Sequence, residues 1–129
     1  MTSGPNVCFE SDQFSLDVPN GGYRPGRDFA RWVASELCAR GETTGEPAPE
    51  DWGWLLPIQT TPYRLFVGCG LRDGSNTEWL AFASAEHGPL RFFRRVNSAQ
   101  RLSQLTDTLR AAGASSSSVK RCWVETNIA

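Results

Sequence analysis

"EDWGWLLPI", residues 50–58, decides how the chain is read. Trp52, Trp54, Leu56 and Ile58 share one parity, so a strand would set them on one face, with Gly53, Leu55, Pro57 and Gln59 on the other. Pro57 has no N–H to give a ladder, which predicts a sheet edge or a bulge there. Gly53 has no Cβ, so another backbone can come close between the two indoles. The next run, "YRLFVGCG" (63–70), alternates Tyr63, Leu65, Val67 and Cys69. The short Thr-Thr-Pro link makes the two runs an antiparallel hairpin. Asp73-Gly74 signals a further turn. "EWLAFASA" (78–85) is apolar on both faces and predicts a central strand.

Upstream, "RDFARWVASELCAR" (27–40) is the clearest helix. Phe29, Trp32, Val33 and Leu37 form one apolar stripe, Asp28 suits the first turn, and Gly41 is placed to end it. In "VCFESDQFSLDV" (7–18), Phe14, Leu16 and Val18 alternate like a half-buried strand, while Val7 and Phe9 have the opposite parity. A bulge or break near Ser11-Asp12 would reconcile them. "PNGGYRPG" (19–26) is a loop, and the acidic "ETTGEPAPED" (42–51) is a connector over the surface. Downstream, "LRFFRRV" (90–96) reads as a fourth strand or an extended lead. A second helix is capped by Asn97 or Ser98, with Gln100 completing a box. It carries Leu102, Leu105 and Leu109 on its stripe and ends at Gly113. "VKRCWVET" (119–126) closes the chain as a strand. The expected fold is α+β, one domain over residues 1–129. It is a two-layer sandwich in which a mainly antiparallel sheet of about five to six strands carries two amphipathic helices on one face.

With 40% hydrophobic and 21% charged residues the chain is globular rather than disordered. A net charge of −1 gives no overall attraction to nucleic acid or anionic membrane. No run reaches the roughly 20 apolar residues of a membrane span, and the N-terminus lacks a secretory pattern, so the expectation is a cytoplasmic protein without a membrane partner. Cys8, Cys38, Cys69 and Cys122 are scattered without a CxxC pair, which predicts reduced, small buried hydrophobes and no metal.

Few familiar chemistries fit. Glu50 and Asp51 are neighbours and point to opposite faces of an extended chain. His87, the one histidine, sits in a turn. The glycines of "GCGLRDG" (68–74) precede another strand, not the helix a dinucleotide loop must open. Gly68 and Gly70 instead relieve crowding opposite the tryptophans or mark a bulge. Charge is the most polarised feature. Residues 42–51 carry four acids and no base, whereas residues 88–106 carry Arg91, Arg94, Arg95 and Arg101 and no acid. Phe92 and Phe93 lie between those arginines, an arrangement that can stack bases of a single strand. Opposed surface charges suit steered association with a protein.

"PEDWGWLL" (49–56), taken with "FARWVASELCARG" (29–41), resembles a loose group of small uncharacterised bacterial proteins with an E-D-W-G-W strand motif. In these a helix ending in Gly is followed by an acidic, Pro-containing connector, the Trp strand, and a hairpin that ends near another Trp, here Trp79. The chain is also similar in size and style to immunity proteins of bacterial competition systems. The absent catalytic constellation, the opposed acidic and basic surfaces and the surplus aromatics lead to the expectation of a non-enzymatic, immunity-type protein that blocks a partner, without a cofactor. Its expected interface is Glu50, Asp51, Trp52, Arg91, Arg94 and Arg95. One alternative is a small-ligand binder or minor enzyme with a pocket walled by Trp52, Trp54 and Trp79. A second is a weak binder of single-stranded nucleic acid.

Overall fold

The computed structural model describes residues 2–59, 64–86 and 91–126, and for residue 2 and residues 91–97 the backbone alone. Its strands are β1 (Thr2–Ser3), β2 (Asn6–Glu10), β3 (Ala48–Glu50), β4 (Gly53–Ile58), β5 (Arg64–Leu71), β6 (Glu78–Glu86) and β7 (Arg121–Glu125). The helices are α1 (Arg27–Ala39) and α2 (Arg91–Ser115). All pairings are antiparallel, in the order β3-β4-β5-β6-β2-β7, with β1 also on β6. This is the expected single-domain α+β sandwich, with β6 central as its two-sided apolar pattern requires.

One face of the sheet is the core wall. Val7 and Phe9 of β2, Trp54, Leu56 and Ile58 of β4, Leu65, Val67 and Cys69 of β5, and Trp79, Ala81, Ala83 and Ala85 of β6 lie on it and are buried. α1 covers it with Phe29, Ala30, Val33 and Leu37, and α2 with Leu102, Leu105, Leu109 and Ala112. Phe9, Phe14, Phe29, Trp32 and Trp79 form an aromatic cluster with centroids 5.2–6.1 Å apart, mostly edge-to-face or tilted, with Phe29 stacked on Trp32. α1 ends as its Gly41 predicts. Gly41 N–H bonds Cys38 C=O and Glu42 N–H bonds Leu37 C=O, the paired bonds that close a helix around a C′ glycine.

Several expectations change. The strand over Phe14–Val18 is absent. Phe14 is buried, but Leu16 and Val18 are exposed, and the chain breaks at Ser11. Serine hydroxyls explain this: Ser11 Oγ accepts from Gln13 N–H and Ser15 Oγ from Asp17 N–H, tight local turns that compete with a ladder. The end of the acidic connector is ordered as β3 rather than looped.

Residues 91–96 of "LRFFRRV" are helix, not a strand, because α2 starts at Arg91, while Leu90 lies outside the described residues. Asn97, Ser98 and Gln100 therefore lie inside the helix rather than at its start. The spacing of Phe92, Val96, Ala99, Leu102, Leu105 and Leu109 was the available signal. Gly113 does not end α2 either. A Cβ there would meet Cys122 Sγ at 2.4 Å and Phe9 Cε2 at 2.9 Å, so this glycine lets the helix lie close on β2 and β7.

The acidic and basic runs partly satisfy each other, since Glu42 pairs with Arg101. β4 is not the edge strand expected from Pro57, since it lies between β3 and β5, and Pro57 is tolerated there for a local reason. Its carbonyl accepts from Gly45 N–H, so its missing N–H faces the irregular stretch beside β4 rather than β5.

Candidate functional site: the open face of the sheet

The motif "EDWG" is a hairpin turn. Glu50 of β3 pairs with Gly53 of β4, and Asp51-Trp52 is the two-residue loop between them. Among the described residues none other than glycine has positive φ, Asp51 and Trp52 included, so this is not the mirror-image turn usual for such loops. Gly53, at φ 155°, absorbs the misfit, and a Cβ there would sit 2.5 Å from the Cys69 carbonyl oxygen.

Because Trp52 is in the turn, strand parity does not govern it. Trp54 faces the core, 3% exposed, and its Nε1–H donates to Arg24 C=O at 2.9 Å. Trp52 is 41% exposed and lies against Phe82 on the opposite face, with ring centroids 5.9 Å apart. The expectation that Trp52 and Trp54 share a face is therefore corrected. So is the pocket walled by Trp52, Trp54 and Trp79, since Trp79 is fully buried on the core side.

The face that Trp52 joins lies opposite both helices. Leu55 of β4, Phe66 and Gly68 of β5, and Leu80 and Phe82 of β6 lie on it. Phe82 sits directly across from Gly68, and its ring occupies the space a side chain at 68 would need, with Cζ 2.3 Å from an ideal Cβ. Gly68 thus makes room for Phe82, not for the tryptophans, and Gly70 has ordinary clearance. Trp52, Phe66, Gly70, Leu80, Phe82 and Asn6 line a shallow hollow of about 380 Å³.

Charges frame this strip. At the hairpin tip, exposed Asp51 and half-buried Glu50 flank Trp52. Arg24 pins the tip, donating to the Asp51 carbonyl at 3.0 Å and pairing with Asp73 at 3.0 Å. At the other end Arg72 stands between Glu78 (3.2 Å) and Glu125 (2.7 Å), and Trp123 Nε1–H donates to Glu125 at 3.1 Å. The Arg72 hydrogen bond, then that of Trp123, holds the Glu125 carboxyl below its ordinary value.

Sequence reasoning missed this cluster, because residues 72, 78 and 125 meet only through the sheet order. Of the residues expected at an interface, Glu50, Asp51 and Trp52 come together in one hairpin. Arg91, Arg94 and Arg95 lie in the first turns of α2, and their side chains are outside the described residues, as is His87.

Two of the four cysteines, Cys8 and Cys69, are buried. Cys122 is half-buried, and Cys38 is exposed, contrary to the expectation for it. Burial, with Glu125 nearby, pushes the Cys8 thiol up to about 11, and burial also raises Cys69 and Cys122. These three thiols stay protonated near neutral pH and are poor nucleophiles. Among the described residues no group of three His, Cys, Asp or Glu is placed to hold a metal ion, and no helix is long and apolar enough to cross a membrane. The arrangement offers apolar contact and carboxylates at one rim. No protein-family model, curated protein or solved structure matches the chain.

Proposed function

We propose that the chain is a non-enzymatic protein-binding module, in its most concrete form an immunity-type inhibitor, and that it holds its partner on the open sheet face. The observation that carries this is Trp52. A large aromatic exposed at a hairpin tip, leaning on Phe82 and flanked by Glu50 and Asp51, has the make-up of an interface anchor with a polar rim. The fitting partner presents an apolar side chain to Trp52 and Phe82 and a basic group to the two carboxylates. Affinity capture from producing cells tests this by comparing the wild-type chain with folded Trp52→Ser. A stoichiometric protein held by the first and lost by the second is expected. Equal retention by both overturns the proposal.

A second reading rests on the hollow itself. Its volume falls in the range of small-ligand pockets, and its walls are mostly apolar side chains. Native mass spectrometry of freshly purified protein would then show a co-purifying small molecule displaced by Phe82→Ala, and no protein partner in the capture.

A further inference from the structure

The two edges of the sheet differ. β3 is three residues long, with Pro49 at its centre and Glu50 at its end, features that block strand addition. β7 has five residues, Arg121-Cys122-Trp123-Val124-Glu125, without Pro or Lys, and among the described residues it pairs only with β2.

Which backbone groups β7 leaves free follows from ladder alternation. Ser11 N–H bonds Thr77 C=O, so in β2 the odd residues bond toward β6 and the even ones toward β7. Lys120 N–H donating to Glu10 C=O agrees. The partners of Asn6, Cys8 and Glu10 are Glu125, Trp123 and Arg121, which are thereby satisfied. Cys122 and Val124 point their N–H and C=O outward, and among the described residues no hydrogen bond reaches them.

Beside this edge runs a groove of about 770 Å³ whose walls include Arg110, Ala111 and Ala114 of α2 and Cys122 and Val124 of β7. Val124 is on the core side of the sheet yet 37% exposed. An apolar side chain there lacks the cover that its neighbours have.

We propose that β7 is a homodimer edge on which a second copy of this chain lays its own β7 antiparallel, Trp123 opposite the partner's Trp123. The strand is self-complementary in that register. Cys122 and Val124 face the partner's Val124 and Cys122, giving four backbone hydrogen bonds across a twofold axis. Arg121 faces the partner's Glu125, and Glu125 the partner's Arg121. Each pair extends an existing contact, because Arg121 already meets Glu10 at 3.2 Å and Glu125 meets Arg72 at 2.7 Å. Charges of alternating sign then cross the axis in a row. Sliding the register by one pair of residues places Arg121 opposite the partner's Trp123 and loses both charge pairs.

The helices leave room. α2 runs over β6, β2 and β7, so its axis lies inboard of the edge. Across the joined sheet the two α2 axes are then separated by about three strand spacings, ~14 Å, more than the 8–10 Å of packed helices. The groove accepts the partner's Val124 in that interval.

Sedimentation velocity across a concentration series tests this. A five-residue edge is small, so a Kd on the order of 10⁻⁵ to 10⁻⁴ M is expected, with the 14.2 kDa chain approaching twice its mass at about 500 µM. Val124→Pro removes an outward N–H and leaves the bonds to β2. Val124→Lys changes only an exposed side chain, and is the check if the proline variant fails to fold. Each folded variant is expected to weaken the dimer at least about tenfold. Amide exchange fixes the site: Cys122 and Val124 N–H must slow as concentration rises, while Trp123 N–H is slow throughout. A monomer at every concentration, or a dimer that both variants keep, overturns the proposal. Slowing of those two amides in a monomeric chain only when a cell extract is added would assign the edge to another protein, and also overturns it.

Discussion

At the scale of single residues, the fate of Trp52 and Trp54 turns on one detail of backbone geometry. Two residues apart in a strand they would share a face. With Trp52 in the turn and Gly53 taking the misfit, they are on opposite sides of the sheet. Trp54→Ala should cost about 3–5 kcal/mol in urea unfolding, because it empties a buried site. Trp52→Ala should cost under about 1.5 kcal/mol, because much of that ring is already in water. Gly113 is a second such residue. Alanine favours a helix over glycine by about 1 kcal/mol. Here its methyl would collide with Cys122 and Phe9, both held in the packed layer. Gly113→Ala should therefore destabilise by about 1–3 kcal/mol, with part of the loss recovered in the double variant with Cys122→Ala. A gain in stability for the single variant would show that α2 does not lie close on β7.

Among the elements, α1 was legible because stripe, first-turn acid and terminal glycine all agree on one helix. Leu37→Ala should cost about 2–5 kcal/mol, and a loss below about half a kcal/mol in denaturant titration would remove the stripe from the core. β4 and β5 were legible through period-two alternation, and β6 through its two-sided apolar run after the Asp73-Gly74 turn. The start of α2 was not, because the doublet Phe92-Phe93 satisfies a strand and a helix equally over seven residues. Only the longer spacing through Val96 and Leu102 separates the two. The Arg72–Glu125 contact was invisible for another reason: 53 residues separate the partners, and only the placement of β7 beside β2 joins them. This pair sets a pH dependence. The folded Glu125 carboxyl lies below its ordinary 4.5, so its stabilising contribution is present above that value and is lost as pH falls through the folded-state value. Carbon-13 NMR titration should place Glu125 below 4.5, and Arg72→Met should move it back up. No movement would mean that the bond from Arg72 does not hold the carboxyl.

At the scale of the whole molecule, both helices lie on one face of the sheet and the open face carries Trp52, Phe82 and Leu80. A net charge of −1 and the carboxylates beside Trp52 disfavour a phosphate backbone. Oligonucleotides should bind no tighter than about 10⁻⁶ M near physiological salt, and submicromolar binding abolished by Arg94→Glu with Arg95→Glu would favour nucleic acid instead. The part of the candidate site legible in sequence was the Glu50-Asp51-Trp52 tip. The face behind it depended on Gly68 yielding space to Phe82 across a strand pair, which spacing along the chain does not reveal. The most direct measurement is fluorine-19 NMR of protein carrying 5-fluorotryptophan at its five Trp positions, each resonance assigned by a single Trp→Phe variant. Spectra in H₂O and D₂O would be compared for the free chain and for its complex with the captured partner. The Trp52 resonance should show a solvent isotope shift in the free chain that disappears in the complex, while Trp54 and Trp79 show none in either. A Trp52 resonance as solvent-sensitive in the complex as in the free chain would contradict the open face as the contact surface.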